Sequence, residues 1–314
     1  MTADRDQHRH PPYEADENDA LSALDAELSA ELSGDAARNR AAILASPSYR
    51  LAHEDTELLD RDELRPVRLM LELLKPELAL ETHHVTSTIV VFGSTQIADA
   101  DTAARRTAAA RRALTADPRN AQLQRRLARA ERLEAKCNVY DAAREFARLV
   151  SQQCQNGGCQ FVVTTGGGPG IMEAANRGAY DVGAKTIGLN IMLPAEQSPN
   201  PYITPDLCFQ FRYFAIRKMH FLLRAKALVV FPGGFGTLDE LFDALTLRQT
   251  HRMQQIPIVM YNRAYWERVI DFQFLADEGT IADAHLELIN YAESPEEAWE
   301  IIRKFAPPDE ALPG

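Results

Sequence analysis

From Ser87 onward the chain repeats one unit: a short run of β-branched and aliphatic residues, a turn, then a helical stretch. Such runs occur at 87–92, 160–165, 185–190, 207–211, 227–231 and 256–261. Helix-compatible segments follow at 140–153, 170–182, 213–223, 237–250, 264–272 and 295–305. Strands without polar alternation must be buried on both faces, and helices of this length between them supply the cover. The order predicts βαβ units with right-handed crossovers, and hence an α/β fold with a doubly wound, Rossmann-like parallel sheet. A chain of 314 residues with 46% hydrophobic content can bury such a core. Sheets of this kind bind ligands beyond the C-terminal ends of their strands.

Two regions fall outside the repeat. Residues 1 to about 20 are polar and acidic, the composition of a disordered arm. Leucines and alanines at helical spacing predict helices over 20–45 and 55–74, the second kinked or divided by Pro66. Arm and helices make an N-terminal extension of about 80 residues ahead of a nucleotide-binding domain over 81–314. The second irregular region is an insert over 98–136, rich in Ala, Arg, Leu and Glu, predicting two helices broken at Asp117-Pro118-Arg119-Asn120. Its arginines read as a solvated face or as an oligomer contact, and apolar stripes on the extension and the insert lead us to expect a homo-oligomer.

Charge and cysteine usage narrow the function. A formal charge of -11 speaks against a nucleic-acid-binding surface, which needs clustered Lys and Arg, but leaves room for a small anion in a local positive site. The four cysteines, Cys137, Cys154, Cys159 and Cys208, form no CxxC pair, so no metal site is expected. The N-terminus lacks the apolar core of a signal peptide, and no apolar run reaches the ~20 residues of a membrane span. The expectation is a cytoplasmic protein with no membrane partner and reduced thiols.

Three strand-end loops carry the chemistry. Gly93-Ser94-Thr95 follows the first strand but lacks the dinucleotide fingerprint. Gly166-Gly167-Gly168-Pro169-Gly170 follows the second, and its glycines let the backbone approach a ligand closely. Phe231-Pro232-Gly233-Gly234-Phe235-Gly236-Thr237-Leu238-Asp239-Glu240 is the most specific. Glycines ahead of a helix start make a phosphate cradle of backbone amides, with Thr237 read as capping the helix and donating its hydroxyl. No Lys-Ser or Lys-Thr pair follows, so a nucleoside triphosphate is not implied.

PGGFGTLDE resembles the PGGxGTxxE motif of the LONELY GUY (LOG) family of nucleoside 5'-monophosphate phosphoribohydrolases, once labelled lysine decarboxylases. Gly166 to Met172 resembles that family's glycine loop, with its fourth glycine one position early, and Arg217-Lys218 resembles its Arg-Lys segment. The resemblance implies hydrolysis of the N-glycosidic bond of AMP or a cytokinin riboside monophosphate, without a cofactor. It implies catalytic roles for Arg217 and Glu240. It implies ligand contacts at Gly93, Ser94, Gly166, Gly167, Gly168, Glu196, Lys218, Gly233, Gly234, Gly236, Thr237 and Thr246. Base preference is left open. Two other classes compete: a noncatalytic nucleotide or molybdenum-cofactor carrier on the same fold, and a pyridoxal-phosphate decarboxylase. Arg217 and Glu240 together disfavour the first. The second would need a buried lysine, and Lys218 has Arg217 as its neighbour.

Overall fold

The computed structural model describes residues 34–154, 161–194 and 198–305. The expected arm, most of the first expected helix, Glu196 and the C-terminal tail lie outside the described residues. The chain divides after Arg68 into two compact units.

The first unit holds helices α1 (Gly34–Ala45) and α2 (Thr56–Asp60) and the start of α3 (Arg65–Thr82). The expected helix over 55–74 is divided, as Pro66 predicted. Asp55 caps α2 by accepting from Leu58 N–H, and Pro66 occupies the first turn of α3, where its missing N–H costs nothing. Helix α3 then runs through Pro76 to Thr82, eight residues beyond the sequence reading.

The second unit contains a seven-stranded, wholly parallel sheet. Its strands are β1 (Thr88–Phe92), β2 (Val162–Thr165), β3 (Thr186–Ile191), β4 (Cys208–Phe211), β5 (Ala225–Val230), β6 (Ile258–Tyr261) and β7 (Ile289–Ala292). Their order is β4-β3-β2-β1-β5-β6-β7, which is the doubly wound arrangement expected. The six expected strands are present; β7, at the sheet edge beside β6, is additional.

Alternation along β1 builds the two-sided core. Ile89 and Val91 face a cluster containing Phe146, Ile171 and Trp299, while Val90 and Phe92 face one containing Phe221, Leu241 and Trp266. Helices α6 (Cys137–Cys154), α7 (Ile171–Tyr180) and α12 (Pro295–Phe305) cover the first face. Helices α8 (Phe214–Leu223), α9 (Phe235–Gln249) and α10 (Arg263–Val269), followed by the short α11 (Phe272–Asp277), cover the second. Ile89, Val90 and Val91 are fully buried, each contributing roughly 1.5–3 kcal/mol of transfer free energy.

The insert forms the expected helical hairpin, α4 (Ala100–Ala116) and α5 (Ala121–Glu134). Asp99 caps α4 through Thr102 N–H, and Asn120 caps α5 through Gln122 and Leu123 N–H. An Arg111–Glu131 ion pair of 3.1 Å joins the two helices.

Candidate active site

Strands β1 to β4 wind outward in one direction and β5 returns to the other side of β1. The connections therefore diverge between β1 and β5, and a crevice opens beyond their C-terminal ends. A cavity of about 350 Å³ lies there, walled by the loop after β1, the loop after β5 and the first turns of α8 and α9.

The glycine loop after β5 is shaped by its own steric demands. A Cβ at Gly233 would fall onto the Thr237 side chain, whereas Gly234 and Gly236 face open space. Tyr265 Oη donates to the Gly233 carbonyl at 2.7 Å and anchors the turn. Helix α9 begins at Phe235, two residues earlier than the sequence suggested, with Gly234 rather than Thr237 at the cap position. Its first internal bond is Leu238 N–H to Gly234 O, so the N–H groups of Phe235, Gly236 and Thr237 are left outside the helical ladder. These donors, reinforced by the helix dipole, give the cavity wall a partial positive charge of the kind that can hold an anion.

Glu240, a turn further along α9, meets Arg217 from α8 inside the cavity. Their nearest atoms, Arg217 Nη1 and Glu240 Oε1, are 3.6 Å apart, and both side chains are about 90% shielded from solvent. Arg217 is held on two other sides: its Nε donates to Leu189 O at 2.7 Å, and its guanidinium lies 4.9 Å from the Phe221 ring centre. Burial pushes the Glu240 carboxyl up to about 7; Arg217 and Lys218 pull it back, while Asp239 and Asp243 reinforce the rise. Burial also lowers the Arg217 pKa, opposed by Glu240 and Asp239. Arg217 nonetheless stays charged at neutral pH, since guanidinium does not deprotonate in proteins. The pair is thus a fixed cation beside a carboxyl that exchanges its proton near neutrality.

The expected site residues divide between wall and support. Gly93, Ser94, Gly234, Gly236, Thr237, Arg217 and Glu240 line the cavity, and Gly233 shapes its glycine turn. Gly166, Gly167 and Gly168 do not line it. Gly166 leaves the space that Arg217 and Met172 occupy, and Gly167 has φ +72° with Asn190 packed where a Cβ would stand. Asn200 holds this loop, its N–H donating to Gly167 O at 2.8 Å and its amide to Gly168 O at 3.1 Å. Behind it, buried Asn176 accepts from Thr165 and donates to Thr186, both at 2.7 Å. Lys218 pairs with Asp239 at 2.9 Å and Asp243 at 3.7 Å and lines the neighbouring groove. The Thr246 hydroxyl donates to Phe242 O at 2.7 Å on the exposed side of α9. Gln96, Met172 and Phe214 also line the cavity and were not singled out in the sequence. Met172 lay within a quoted motif, but Gln96 and Phe214 carried no signal.

Backbone contacts bind the strand-end loops to one another. Ser94 N–H donates to Pro232 O and Ile171 N–H to Ser94 O, both at 3.0 Å. Gly170, at φ +74°, lies so close to the Ser94 carbonyl that no Cβ would fit.

Sheet and cavity together define a doubly wound α/β protein with a buried Arg–Glu pair and an open helix N-terminus at its topological switch point. Residues 172–302 match the family model described as "Possible lysine decarboxylase". The chain is 27% identical over 151 residues to cytokinin riboside 5'-monophosphate phosphoribohydrolase LOG3 of Arabidopsis thaliana, covering 46% of this chain and 68% of that protein. It is 24% identical over 155 residues to the probable cytokinin riboside 5'-monophosphate phosphoribohydrolase LOGL3 of Oryza sativa subsp. japonica, covering 46% and 69%. A solved molybdenum cofactor binding protein from Rippkaea orientalis is similar over 53% of this chain and 86% of that chain, with 24% identity and a TM-score of 0.38. The two plant relatives and the family model bear out the resemblance to the LOG family. Among the described residues there is no helix long and apolar enough to cross a membrane and no group of three His, Cys, Asp or Glu suited to a metal ion.

Proposed function

We propose that this chain hydrolyses the N-glycosidic bond of a nucleoside 5'-monophosphate, AMP or a cytokinin riboside monophosphate, to the free base and ribose 5-phosphate. The observation that carries this reading is the buried Arg217–Glu240 pair one turn from an unpaired helix N-terminus in a single cavity. The 5'-phosphate docks on the N–H groups of residues 235–237. That docking brings the ribose toward Glu240.

Cleavage of the C1'–N bond leaves the electron pair on the base nitrogen and oxocarbenium character on the ribose. An ionised Glu240 stabilises that positive charge and accepts a proton from the attacking water as its oxygen bonds to C1'. The same carboxyl returns the proton to the departing nitrogen, so one water is consumed overall. A carboxyl held near 7 suits both halves of this transfer. Arg217 keeps the carboxylate oriented. A proton-exchanging carboxyl in the cleft supports the hydrolase reading over the noncatalytic one.

Chromatographic detection of free adenine tests the proposal. AMP should be turned over and adenosine hardly at all, because adenosine lacks the group the cradle holds. Equal turnover of the two would overturn the cradle assignment, and no base release from any monophosphate would overturn the hydrolase reading.

A further inference from the structure

A second cavity, of about 650 Å³, lies between the two insert helices, and the catalytic reading does not use it. Arg106 of α4 and Arg126 and Arg129 of α5 line it, with no acidic side chain among its lining residues. Arg126 and Arg129 are one turn apart on one helix, exposed, and without an ion pair among the described residues. Arg106 Nη1 donates to the Gln96 carbonyl at 3.1 Å, and Gln96 lines both this cleft and the Arg217–Glu240 cavity. The floor between the arginines is apolar, with buried Ala110 and half-buried Leu133.

The wider charge distribution isolates this cleft. Residues 98–136 carry ten Lys and Arg against five Asp and Glu, in a chain whose formal charge is -11. Concentrating cations against the sign of the whole molecule leaves mutual repulsion that an anion relieves. The concavity has the volume of a small-molecule site, too confined for a duplex or a membrane surface.

We infer that the cleft between the insert helices binds a small organic polyphosphate, a nucleoside di- or triphosphate being the class that fits. Three arginines from two helices line the one cleft, enough to serve two or three phosphate groups, each able to take paired N–H donors. The alanine and leucine floor offers a flat apolar seat for a ring. Occupancy would draw on Arg106 and so bear on the Gln96 carbonyl at the rim of the other cavity. None of this depends on the reaction proposed above.

Calorimetry on the full chain at about 150 mM salt, where loose surface attraction is screened, provides the test. The probes are ADP, inorganic tripolyphosphate and orthophosphate. ADP and tripolyphosphate should show a binding event that depends on Arg126 and Arg129, and orthophosphate should show none that does. Tighter binding of ADP would identify a nucleotide ligand, and equal binding an inorganic polyphosphate; either supports the site. Arg126→Ala with Arg129→Ala should weaken binding about tenfold per arginine removed. Arg125→Ala with Arg132→Ala, on the same helix but outside the cleft, should leave it unchanged. All four residues are exposed, so both variants should fold. Absence of binding by the unmodified protein, ADP and tripolyphosphate affinities unchanged by loss of Arg126 and Arg129, or equal loss in the two double variants would each overturn the inference.

Discussion

Replacing Glu240 with Gln keeps the shape of the side chain and removes its titration, which makes two readouts available. The first is chemical. Loss of one electrostatic stabiliser of a developing charge costs about 2.7–4 kcal/mol, so turnover at saturating AMP should fall roughly a hundred- to thousand-fold. AMP affinity should persist, because the N–H groups of residues 235–237 are untouched. The second readout is thermodynamic. Burial raises the carboxyl from 4.5 to about 7, so between those values the native state keeps a proton that the unfolded chain has released. The contribution of Glu240 to stability is therefore full below pH 4.5 and declines as pH rises through 7. A difference of about 2.5 pKa units corresponds to roughly 3 kcal/mol. Glutamine carries no such penalty. Relative to the unmodified protein, the variant should gain up to about 3 kcal/mol of stability on going from pH 5 to pH 8. Adenine release by chromatography, AMP binding by calorimetry and denaturant unfolding at the two pH values measure all three. Full turnover in the variant, or a stability difference independent of pH, would refute the assignment of Glu240 as a buried, proton-exchanging catalytic group.

In the unmodified protein kcat/KM for AMP should climb with pH through about 7, being about tenfold below its plateau at pH 6. Arg217→Ala removes the main attraction holding that carboxyl down, so any residual activity should show its rising limb at higher pH; an unmoved limb would mean the two residues are not coupled. Gly233→Ala should disturb the turn, because its new methyl falls on Thr237, and lower AMP affinity at least tenfold. Gly236→Ala meets open space and should leave the melting temperature within about a degree. Calorimetry and thermal unfolding of the two alanine variants distinguish them.

Local chemistry explains which parts of the structure could be read in advance. The central strands announced themselves because burial on both faces leaves no polar alternation, and the insert's break was legible from Pro118 and from Asn120, which caps the next helix. Strand β7 was not, since Ile289-Asn290-Tyr291-Ala292 is short, interrupted by Asn and half-exposed at the sheet edge, so its pattern is that of a loop. Helix α3 runs past its expected end at 74 and straight through Pro76, a residue type that ordinarily ends or kinks a helix. The glycine loop after β5 was recognisable from its motif, but the meeting of Arg217 with Glu240 was not a matter of spacing. They stand on different helices and converge only because β5 returns beside β1. The roles of Gly166 to Gly168 were hidden for a related reason: their partners Arg217, Asn190 and Asn200 are distant in sequence.

The backbone bonds from Ser94 to Pro232 and from Ile171 to Ser94 have a consequence for recognition. Three loops from three strands are thereby tied to one another, which preorganises the rim of the cleft. A ligand then need not spend free energy on ordering wall segments, at ~1–2 kcal/mol of conformational entropy for each backbone residue that would otherwise be fixed. The same stiffness limits adaptation. Under the reading proposed above, a bulkier base has to find its space outside this rim, because Gly170 already packs against the Ser94 carbonyl too closely for these two loops to rearrange around a side chain.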